Sequence, residues 1–131
     1  MLSGLIVSRY YKSKADYELV SKQIKDERQK LGRFFDALQL ELELVKKDLI
    51  SSQPVDYTHI LRTVTKDRPI TPSLVKENIN EMSLKHLSGA VNVIDEVIKV
   101  VDEESLTKDN IYHLESRLIR AKINVLMIDE K

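Results

Sequence analysis

An all-α fold is predicted by three observations: apolar seams at helical spacing, prolines confined to one short region, and very few glycines. The expected architecture is an antiparallel helical bundle of four to five helices, with one long N-terminal helix and a C-terminal helical hairpin. Leu31, Phe35, Leu38, Leu42, Val45 and Leu49 step 4-3-4-3-4 along the chain. Leu84, Leu87, Val91, Ile94, Ile98 and Val101 step 3-4-3-4-3, as do Ile111, Leu114, Leu118, Ala121, Val125 and Ile128. A helix turns 100° per residue, so each set lines one face, and the mean step of 3.5 lets neighbouring helices pack at a shallow angle. All three prolines lie between residues 54 and 72, and the three glycines are far apart.

The first long helix begins near Ser13, a candidate cap with Asp16 three residues on. It runs to about Ile50, crossing Gly32, and ends before Pro54 because the residue preceding proline disfavours helical backbone. Its halves differ in pattern. Residues 31–49 carry the seam, whereas 14–30 offer only Ala15, Tyr17, Val20 and Ile24 among many charges. The second half is therefore expected to pack in the bundle, and the first half to project from it or pair with a second subunit.

Asp56 is a candidate cap for a short helix bearing Tyr57, Ile60, Leu61 and Val64. Thr71 followed by Pro72 has the form of an N-cap with proline at the first helical position. Residues 72–104 read as one helix or two, with Ser83 as the candidate second cap. A second apolar stripe through Ala90, Val93, Val97 and Val100 predicts burial on more than one side. The last helix starts after Ser105 or Thr107 and extends to about Asp129, and Ile119, Ile123 and Leu126 widen its apolar face. A link of about five residues makes these last two helices an antiparallel hairpin.

The domain so described spans 13–131, with an apolar segment, 1–12, ahead of it. That segment has no charged start and no small-residue cleavage pattern, and its apolar run is too short to span a bilayer. Its two tyrosines followed by bases do match the interfacial end of a membrane helix, so residues 1–14 are candidates for contact with a membrane surface.

Twenty-one basic and twenty-one acidic residues cancel, but unevenly: residues 1–33 hold eight bases against four acids, and 81–104 hold two against six. The absence of cysteine excludes disulfides, thiolate zinc sites and cysteine nucleophiles. His59, His86 and His113 have no His or Glu at the helical i+3 or i+4 spacing a metal site uses, so no metal is expected. His86 lacks the Lys one turn on that would support a phosphoacceptor histidine, because Gly89 stands there. No phosphate-binding loop or nucleophile elbow is present, and paired acids such as Glu103 and Glu104 read as a solvated face.

These patterns predict a non-enzymatic interaction or scaffolding domain, with no catalytic residue, cofactor or small-molecule substrate. A second copy, as a homodimer, or another protein is the expected partner, docked on a face formed by Tyr17, Val20, Ile24 and Leu31. The expected setting is cytoplasmic, at the inner face of a membrane where residues 1–14 meet one. The alternative is a nucleic-acid-binding or small inhibitor or immunity-type helical protein. Nucleic acid is disfavoured because Asp26 and Glu27 interrupt the bases Lys22, Lys25, Arg28, Lys30 and Arg33, and the second basic group, Arg117, Arg120 and Lys122, is small.

Overall fold

The computed structural model describes residues 14–131, with side chains from Asp16 onward, and among them contains five helices and no strand. The Ser13 cap and the segment 1–12 lie outside the described residues. Helix α1, Lys14–Ile50, has 37 residues, or about 55 Å of unbroken helix. It ends where Ser52 enters the left-handed region (φ 56°) and Gln53 N–H reaches back to the Asp48 carbonyl at 2.8 Å. That six-to-one bond satisfies a carbonyl the helix end would otherwise leave open.

Helix α2, Thr58–Thr65, starts where Asp56 Oδ1 accepts the Thr58 N–H at 2.9 Å. Helix α3, Ser73–Asn78, follows Pro72, but Thr71 does not cap it; its hydroxyl instead donates to Glu27 on α1 at 2.9 Å. Residues 72–104 form two helices. Ile79 and Asn80 are extended, and the Asn80 side chain caps α4, Glu81–Asp102, by accepting the Ser83 N–H at 2.8 Å. Ser83, expected as the cap, is buried one turn in, and its hydroxyl accepts the Asp129 N–H at 2.7 Å. Helix α5, Lys108–Val125, opens with a reciprocal capping box between Thr107 and Asn110.

Contacts between residues distant in sequence give the directions. Glu115 meets Lys46, Lys122 meets Asp36 and Glu130 meets Ser21, so α5 runs antiparallel to α1. Arg117 pairs with Glu96, and Asp129 with Ser83, so α5 is also antiparallel to α4. Helix α5 thus packs between α1 and α4, while α2 bridges the same two helices and α3 lies on α1. The tail closes one end of the bundle: Asn80 N–H donates to the Asp129 carbonyl at 3.0 Å, and Lys131 N–H to that of Asn78 at 3.1 Å. Ile79 and Ile128 are buried beneath these bonds.

Two expectations about the core are corrected. The first half of α1 does not project: Val20 and Ile24 are buried in the same core cluster as Val75, Ile79 and Ile128. The seam of α4 is also displaced. Leu87, Ile94 and Val101 are buried as expected, but Leu84 and Val91 are exposed and Ser83, Ala90 and Val97 take their places. The buried row 83-87-90-94-97-101 still steps 4-3-4-3-4; it lies between the two stripes legible in the sequence. The seams of α1 and α5 are buried as spaced, Leu49 only partly. Each fully buried Phe, Leu or Ile contributes about 1.5–3 kcal/mol relative to exposure.

Candidate functional site

Of the four residues expected to form a partner face, Val20, Ile24 and Leu31 are buried in the chain's own core. They share the core cluster with Val75 of α3 and with Ile79 and Ile128, and Leu31 lines a groove with Pro69, Ile70 and Thr71. Tyr17 is 44% exposed. In the sequence Glu27 interrupts the apolar stripe of this half of α1. It occupies the seam position between Ile24 and Leu31, is only 4% exposed, and makes the stripe look broken. The carboxylate is satisfied there by the Thr71 hydroxyl and by Lys30 Nζ at 2.8 Å, and Lys30 also donates to the Ile70 carbonyl at 3.1 Å. Together these contacts staple the proline-containing loop along α1.

Unpartnered apolar surface appears instead on α5. Tyr112, Ile119, Ile123 and Leu126 are 56%, 41%, 55% and 48% exposed. At 100° per residue they fall within about 60° of one another, so they form one stripe rather than scattered positions. That stripe flanks the seam through Leu114, Leu118 and Val125, which faces the core. The sequence shows these residues only as a widening of the core face, because periodicity cannot say where a neighbouring helix stops.

The stripe has a rigid end and a polar boundary. Lys46 Nζ lies 5.3 Å from the Tyr112 ring centroid and 3.2 Å from both oxygens of the buried Glu115 carboxylate. The lysine is thereby held over one face of the ring, within the range of a cation–π attraction. Lys122 pairs with Asp36 along the α1 side. Leu126 rests over Gly32, where an added Cβ would approach Leu126 Cδ2 to 3.3 Å. A smaller exposed pair, Leu40 and Leu44, lies on α1.

Other candidate chemistry is dispersed. The three histidines occupy separate places: His59 lines a groove of about 430 Å³ between α1 and α2, His86 lines one between α4 and α5, and His113 is exposed on α5. The first groove gathers Glu41, Asp48 and Asp56 with His59. Burial raises the Glu41 carboxyl above its ordinary value, against the lowering effect of the Thr63 hydroxyl bond at 2.9 Å. Asp56 is lowered by the Thr58 backbone N–H, and Tyr57 is raised by burial. Among the described residues no three His, Asp or Glu side chains are placed to hold a metal ion.

Bases considered for nucleic acid do not form one surface. Lys22, Lys25, Arg28, Lys30 and Arg33 spread over about 200° of α1, and Lys30 is bound to Glu27. In the second group Arg117 and Lys122 pair with Glu96 and Asp36. No described helix is long and apolar enough to cross a membrane. No protein-family model, curated protein or solved structure matches the chain.

Proposed function

We propose that this chain is a non-enzymatic interaction domain that docks through the exposed flank of α5, and that its partner there is a second copy of itself. The observation that carries the reading is the stripe of four large apolar side chains, Tyr112, Ile119, Ile123 and Leu126. Isolated exposed apolar residues are ordinary, whereas a contiguous set on one helix flank marks a contact surface. Three of the four positions are also self-complementary. Tyr112 and Leu126 each lie seven residues from Ile119, so two antiparallel copies meeting at Ile119 place each tyrosine opposite a leucine. A two-fold contact requires this property of its patch. Tyr112, held by Lys46, is a pre-ordered aromatic anchor of the kind that concentrates binding energy.

A cytoplasmic setting belongs to this reading, as does a second contact between residues 1–14 and a membrane surface; flotation with anionic liposomes tests the latter. Sedimentation velocity over a wide concentration range tests the self-association. The chain is expected to dimerise, and Ile119→Lys with Ile123→Lys to leave a folded monomer. The pair Leu40→Lys with Leu44→Lys, on α1, is expected to leave the dimer unchanged. A strict monomer at every concentration, or a dimer lost only with the α1 pair, contradicts the proposal.

A further inference from the structure

A separate groove of about 390 Å³ runs between the first half of α4 and the second half of α5. Lys85 and His86 line it from α4, and Arg117 and Arg120 from α5. No carboxylate shares the lining. Arg117 is paired with Glu96 beside the groove, but the side chains of Lys85, His86 and Arg120 make no hydrogen bond or ion pair among the described residues. Other described cations, Lys22, Lys25 and Arg28 on α1 among them, also lack an ion pair; what sets the groove apart is that two facing helices bring its cations to one opening.

The floor is small: Gly89, Ala90 and Ala121 leave backbone close to the opening. A Cβ built on Gly89 would meet nothing within 4 Å. Packing therefore does not require glycine there, and the helix bears its propensity cost at a point where an open cradle faces the cations. Met82 and Val93 add apolar surface at either end of the groove. A cationic rim over a small apolar floor, in a volume within the range of about 300–1,000 Å³ typical of small-molecule sites, fits an anion that carries an organic body.

We propose that the groove between α4 and α5 binds a soluble organic phosphate monoester, its phosphate held by Lys85, Arg120 and Arg117 and its body resting over Gly89 and Ala121. Guanidinium forks match phosphate oxygens two at a time, and the ammonium adds a point charge. The site is independent of the α5 flank, because Arg117, Arg120 and Ala121 lie on the side of α5 turned toward α4.

The test is titration of isotope-labelled protein with inorganic phosphate and with AMP at low ionic strength, following backbone amide resonances. Saturable shifts confined to 82–93 and 117–124 are expected, with AMP binding more tightly than phosphate. Lys85→Gln with Arg120→Gln should weaken AMP binding by at least about tenfold, as loss of two charge-assisted contacts implies. Gly89→Leu should weaken AMP more than inorganic phosphate, because it fills the floor and spares the rim. Lys22→Gln with Lys25→Gln, on α1, should change affinity less than about twofold. Absence of saturable shifts, equal shifts with sodium chloride, or equal loss in the α1 control overturns the proposal. So does co-sedimentation with phosphatidic acid vesicles without AMP binding, which assigns the cations to a lipid surface.

Discussion

Glu27 is the residue whose replacement tests the packing of α1 most sharply, because it places a charge in an otherwise apolar seam. Glu27→Ala removes the Thr71 hydroxyl's acceptor and the Lys30 partner together. A hydrogen bond to a charged acceptor contributes about 1.5–3 kcal/mol. The pair with Lys30, whose side chain is 44% exposed, adds only about 0–1 kcal/mol after solvent screening. Glu27→Ala should therefore lower stability by about 2–3 kcal/mol. Glu27→Gln keeps an acceptor for Thr71 and should cost about 1 kcal/mol. Urea unfolding followed by circular dichroism at 222 nm measures both. Hydrogen exchange of the 66–72 amides supplies the local readout, because the loop should open more often once its staple to α1 is gone. If Glu27→Ala stays within about 0.5 kcal/mol of wild type and loop exchange is unchanged, the carboxylate is not what holds the loop.

Three further outcomes are expected. Ser52 and Glu104 both sit at positive φ, 56° and 50°, just past α1 and α4; Ser52→Gly and Glu104→Gly should each stabilise by about 1 kcal/mol in the same urea assay, since only glycine adopts that conformation freely. Gly89→Ala should gain about 1 kcal/mol of helix propensity in open space, whereas at Gly32 the new Cβ would crowd Leu126 at 3.3 Å and the gain should be smaller; thermal melts compare the two. Burial raises the Glu41 carboxyl, so the folded state binds its proton more tightly than the unfolded state does, and stability falls as pH rises from about the ordinary value of 4.5 through the raised folded value. Glu41→Gln should therefore be more stable than wild type at neutral pH, with the difference vanishing below that window.

The seams of α1 and α5 were legible because apolar and polar residues alternate cleanly around those helices, and the short link from 103 to 107 made the hairpin unambiguous. The α4 seam was only half legible. Its residues 90–101 are apolar on most sides, so spacing alone offered two adjacent stripes, and the buried row fell between them once α5 and α2 had covered it. The N-terminal half of α1 is illegible for the opposite reason: in the sequence Glu27 has the form of a solvated residue, and the Thr71 hydroxyl that satisfies it lies 44 residues away. The same distance problem hid the cations around His86. One turn along α4 from His86 stands Gly89, while Arg117 and Arg120 arrive from the facing helix. Periodicity reports which faces are apolar; it does not report which of them a neighbour covers, and that difference separates Val20 and Ile24 from Ile119 and Ile123.

Because the chain contains no cysteine, a single Ile119→Cys substitution places one thiol at the centre of the proposed two-fold contact. Mild oxidation at micromolar protein should convert Ile119→Cys to a disulfide-linked dimer, with Leu40→Cys on α1 remaining monomeric under the same conditions. Equal cross-linking of both variants, or none at position 119, would contradict self-association through the flank of α5.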